Sequence, residues 1–128
     1  MSAFPQTESS LENQLRGQLL ADGMPRNNYP RALVASLVVA SGPATLGGFA
    51  VYSDNAAAQF IQLFDLPTLP ADGAIPVAVF TVASKANLGV QYAPFGRFFR
   101  SGIVICNSST AATKTLGSAD CWFDAQYI

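Results

Sequence analysis

The 128-residue chain carries a net charge of −1, and only 12% of its side chains are charged, about half the share of an ordinary soluble domain. That length allows one domain with one core. The charge balance supplies no basic stripe for neutralising phosphates, and the absence of histidine removes Ser-His-Asp and Cys-His chemistry.

Residues 1–30 form the first predicted unit, an N-terminal arm. Ser9-Ser10-Leu11-Glu12 has the spacing of a capping box, in which Ser9 accepts an orphan N–H and Glu12 reaches back. Leu11, Leu15 and Leu19 then recur every four residues, which predicts a short amphipathic helix around 10–21. Asp22-Gly23 and Pro25 stop it. Gly17 weakens it, and a helix this short needs a surface to rest on. Pro25 to Pro30 reads as an extended linker. Met1 to Gln14 lacks the apolar run of a secretory signal, so synthesis in the cytoplasm with reduced thiols is expected.

From Arg31 the pattern changes to strands, and residues 31–128 are predicted as one β-sandwich. Leu33 to Val39 is strongly β-prone and ends at Ser41-Gly42-Pro43; Leu46 to Tyr52 follows. The uncharged stretch from Ala32 to Ser53 is long enough to cross a bilayer, but the Gly-Pro and Gly-Gly breaks make two strands the better reading. In the next run Phe60, Gln62 and Phe64 share one face, and Ile61, Leu63 and Asp65 the other. A Pro-rich loop over 66–76 leads into Val77 to Val82, and a short strand is expected at Val90 to Tyr92. After the aromatic segment Phe95 to Arg100 come Ile103 to Cys106, a Ser/Thr loop, a brief pairing near Lys114 to Leu116, and a last strand. In that strand Cys121, Phe123, Ala125 and Tyr127 alternate with Trp122, Asp124 and Gln126. About seven or eight short strands without crossover helices predict an all-β, antiparallel, jelly-roll-like sandwich.

Chemistry is sparse. Asp54, Asp65, Asp72, Asp120 and Asp124 are the acids from which a catalytic pair would have to come, and each has a simpler place in a turn, at a strand end or on a polar alternate position. Cys106 and Cys121 read as small core residues, and two cysteines without histidine make no standard zinc site. No phosphate cradle or EF-hand spacing is present. Hence no enzyme activity, cofactor or metal is expected. The aromatics are the remaining signal. Phe98 and Phe99, flanked by Arg97 and Arg100, read as core or interface residues before nucleic-acid stackers. Trp122 stands opposite Phe123, so one of the two faces outward.

The run from Phe49 to Asp65, with Phe99-Arg100-Ser101-Gly102-Ile103-Val104-Ile105, the Ser108-Ser109-Thr110 loop and the Asp120/Trp122/Tyr127 ending, resembles small virion proteins of tailed bacteriophages. That group comprises capsid decoration (cement) proteins and head-fibre components. The resemblance implies a β-sandwich that oligomerises, as a homotrimer, about a symmetry axis of the shell and clamps the major capsid protein. It implies a place on the capsid exterior after assembly in the host cytoplasm, without direct nucleic-acid or membrane contact. Under this reading Leu11, Leu15 and Leu19 are arm anchors, and Phe98, Phe99 and Trp122 are interface candidates. The alternative is a tail or head-fibre module that binds host-surface carbohydrate on exposed aromatics.

Overall fold

The computed structural model describes residues 25–128. The predicted helix, with Leu11, Leu15 and Leu19, lies outside the described residues. Nine strands follow: β1 (Arg26–Asn28), β2 (Ser36–Ala40), β3 (Ala44–Ser53), β4 (Gln59–Phe64), β5 (Ala78–Val82), β6 (Asn87–Gln91), β7 (Arg97–Phe99), β8 (Ile103–Ser108) and β9 (Cys121–Tyr127). No helix occurs among the described residues.

All strand pairing is antiparallel. One sheet has the order β1-β9-β3-β6, with β7 also pairing β3; the other has the order β2-β8-β4-β5. The pairs β1–β9, β2–β8, β3–β6 and β4–β5 therefore form one doubled ribbon whose successive pairs fall in alternate sheets. That winding is a jelly roll, as expected from sequence.

Alternation drives the two sheets together. Leu46, Phe49, Val51, Phe99, Phe123 and Ala125 from the first meet Ile61, Leu63, Val82, Ile103 and Ile105 from the second, all buried. Phe49 and Phe80 meet edge to face across this core, with centroids 5.6 Å apart. Cys121 belongs to the same core; Cys106 lies on the far side of the second sheet with Phe64 and Val104. Both thiols are free, and burial pushes them up, to about 12 for Cys106 and about 11 for Cys121.

Two segments differ from the sequence reading. Arg26–Asn28, read as linker, is extended but hydrogen-bonded along β9, from Arg26 opposite Tyr127 to Asn28 opposite Ala125. The run from Leu33 to Val39 is divided between sheets: Val34 bridges Cys121 in the first, and only from Ser36 does the chain join β8 in the second. Upstream, between β1 and Val34, Arg31 takes a left-handed φ of 58°.

Candidate binding face

Over its two central strands, β4 and β8, the outward side of the second sheet is covered by its own chain, while Val38 and Val79 on the edge strands stay exposed. Gln62 points out of β4 yet is fully buried, and its Nε2 donates to the carbonyls of Thr110, Ala111 and Thr113 at 2.9, 2.9 and 3.1 Å. Ser108 Oγ donates to Thr110 O at 2.7 Å and accepts from the Thr115 amide at 3.0 Å. These bonds hold the 109–118 loop down on Gln62 and Ser108, next to the buried cluster of Phe64, Val104 and Cys106 against which Ala74 packs. The 65–77 loop is tied in beside it: Gly73 donates to Lys114 O, Lys114 donates to Ala74 O, and Lys114 Nζ meets Asp72 Oδ1 at 2.6 Å. Lys114 is only 3% exposed, so Asp72 answers a nearly buried charge. The Lys114 hydrogen bond, then the Leu116 amide, holds the Asp72 carboxyl below its usual range. Asp65 accepts from the amides of Ser101, Arg100 and Gly102, at 2.8, 3.2 and 3.4 Å, and the Ser101 contact most of all lowers its carboxyl. Both acids thus serve loop architecture.

The outward side of the first sheet is open. Cross-strand register sets its side chains in rows. The first row is Trp122, Tyr52 and Asn87; the second is Asp124, Ala50 and Gly89; the third is Asn27, Gln126, Gly48 and Gln91. Neighbouring strands lie about 4.8 Å apart and same-face rows about 6.8 Å apart. Beyond the third row Thr45 is opposite Phe98 and exchanges both backbone bonds with Ile128. Because Gly48, Ala50 and Gly89 carry almost no side chain, the middle of the sheet is a trough. A groove of about 740 Å³ runs from Ala50 and Gly89 towards Phe95, and a hollow of about 340 Å³ continues past the same residues to Trp122. Asp124 lines both, and no Lys or Arg lines either.

Of the aromatic candidates, Trp122 is 45% and Phe98 63% exposed, both on this open side. Phe99 is corrected: at 1% exposed it faces the core opposite Ala44, so it offers no surface to a partner. Arg97 lies over its ring, at 5.7 Å, and donates to Val77 O, closing the seam between sheets. The interface candidates drawn from sequence do not include Phe95, 89% exposed at the groove end, or an apolar patch on the other sheet's edge. There Ile75, Val77 and Val79 stand exposed along β5 and the segment before it, with Leu66 and Leu69 in the adjoining loop. The alternate apolar residues at 75, 77 and 79 were the available signal, divided in the sequence reading between the 66–76 loop and the strand from Val77.

No group of three or more acidic or Cys ligands able to hold a metal ion occurs among the described residues, and no helix there is long and apolar enough to cross a membrane. No family model, curated protein or solved structure matches the chain.

Proposed function

We propose that the protein is a structural virion component, a decoration (cement) protein that binds and stabilises the major capsid shell of a tailed bacteriophage as a homotrimer. The observation that carries this reading is the patch of Ile75, Val77 and Val79 on the β5 edge, with Ile75 79% exposed. An edge strand that shows both unpaired backbone and apolar side chains is a liability for a solitary protein and an asset for a subunit. The thin supply of surface charge agrees with permanent association. Repetition by symmetry would let many modest contacts resist internal pressure together. Leu11, Leu15 and Leu19 add an apolar anchor from the arm in this scheme.

The test combines solution mass with reconstitution on undecorated heads, read by electron microscopy. Wild-type protein is expected to form trimers and to add density at threefold or quasi-threefold positions. Val77→Ser/Val79→Ser and Leu11→Ser/Leu15→Ser/Leu19→Ser variants are expected to lose occupancy while keeping the sandwich spectrum. Any truncation of the arm should stop before Arg26, since removing residues through 30 also removes β1. A monodisperse monomer that ignores particles would overturn the proposal.

A further inference from the structure

We propose that the open face of the first sheet is a binding site for a neutral oligosaccharide, a function beyond attachment to a shell and on a different surface from the β5 patch. The assignment follows from which side chains the register brings together. Trp122 and Tyr52 stand side by side at one end, and an indole exposed by 45% offers a flat apolar surface to the C–H face of a pyranose. One row on, the floor of Ala50 and Gly89 is low enough for a ring to lie against the sheet, with the Asp124 carboxylate beside it. The third row brings three carboxamides, Asn27, Gln126 and Gln91, to the two sides of Gly48. Planar amides and a carboxylate each present adjacent donors or acceptors, which suits the paired hydroxyls of a sugar. At the far end Phe95 supplies a second aromatic surface.

Charge narrows the class. With Asp124 as the charged residue among those lining the groove, and no Lys or Arg there, phosphate, sulfate and uronate groups meet repulsion without compensation. Nucleic acid is disfavoured for the same reason. A protein hot spot would bring large apolar residues to the centre and polar ones to the rim; here the centre is glycine and alanine between polar side chains.

Gly89 supplies a clean test. A Cβ built on it meets nothing within 4 Å, and its φ lies outside the left-handed region, so a larger side chain enters the trough without strain. Full-length wild type, Gly89→Leu and Trp122→Ala proteins would be applied to a printed array of neutral and acidic bacterial-type oligosaccharides, and the strongest neutral ligand titrated by calorimetry. Saturable wild-type binding is expected, weakened about tenfold or more by either substitution, with the thermal midpoint and the particle attachment of Gly89→Leu unchanged. A blank array, binding confined to acidic sugars, or a Gly89→Leu protein that binds like wild type overturns the assignment. Gly89→Leu losing both sugar and particle would give the face to the shell and overturn it as well. Loss of attachment in the Val77→Ser/Val79→Ser variant alone leaves the glycan result to stand by itself.

Discussion

The two sheets of this sandwich present opposite solutions to the same outer surface. On the second, the outward residues of the central strands, Gln62, Phe64, Val104 and Cys106, are as buried as the core, because two loops fold over them and are held there by side-chain bonds. On the first, the outward residues Trp122, Asp124 and Gln126 remain open to solvent, and the middle of the face is pared down to Gly48, Ala50 and Gly89. The contrast separates stability from recognition. One outer face adds a second, smaller apolar layer to the fold; the other is free to vary for what it meets.

The largest way to break that contrast is to unseal the closed face. Gln62→Ala removes the donor that gathers the carbonyls of Thr110, Ala111 and Thr113 at a fully buried position. Thr110 O keeps the Ser108 hydroxyl and Thr113 O keeps the Thr110 hydroxyl, so the carbonyl of Ala111 is affected most, and we expect a loss of about 2 kcal/mol in urea unfolding. The native Oε1 has no partner, so some cost of burying this amide is already present and the loss stays below that of three independent bonds. Amides of the 109–118 loop are expected to gain hydrogen exchange ahead of those in β9. If stability is unchanged, the loop is held by its own backbone and the closed face is less of a layer than described.

A smaller effect comes from acid. The Asp72 carboxyl is lowered in the folded protein by Lys114 and the Leu116 amide, and Asp65 by three backbone amides led by Ser101. Groups lowered on folding contribute stability that is full above their ordinary value of 3.8 and is lost as pH falls through the lower folded value. Asp72→Asn should therefore lie below wild type in thermal midpoint at neutral pH and converge with it in acid. Asp72 is well exposed, so solvent screens its pair with Lys114 and the shift should be modest. Equal midpoints at all pH values would remove this pair from the seal.

Much of this arrangement was legible in the residues. Strict alternation in the last strand separated Phe123 and Ala125 from Trp122 and Asp124 correctly, because one side of β9 is core and the other is solvent. Alternation also grouped Phe60, Gln62 and Phe64, but it could not say that their side is closed, since the carbonyls that Gln62 meets lie 48 or more positions away. Phe98 and Phe99 are adjacent aromatics of similar appeal, and only the pairing of β7 with β3 decides which one enters the core. The strand at Arg26–Asn28 contains no apolar residue and rests on backbone bonds to β9, so no hydrophobic period announces it. The trough was equally silent: Gly48 and Gly89 lie far apart in sequence, and their alignment exists only in the register of β3 with β6, through Ala50 and Gln91.

The smallest expected change carries the most weight for the comparison. Phe98→Ser and Trp122→Ser remove large aromatic surface, and in a closed face either would cost several kcal/mol. On the open face these side chains are already 63% and 45% exposed, so only part of their apolar area returns to water on unfolding, and the loss should be about 1 kcal/mol for Phe98 and somewhat more for Trp122, well short of a buried aromatic. Trp122 also stands beside Tyr52, so its truncation should exceed that of Phe98, whose cross-strand neighbour is Thr45. Urea unfolding of dilute protein measures both, and solubility should rise as exposed apolar area falls. A loss near that of a buried aromatic, appearing only at concentrations where the protein is oligomeric, would mean that another copy covers the face, and the division between a sealed sheet and an open one would then hold for the monomer alone.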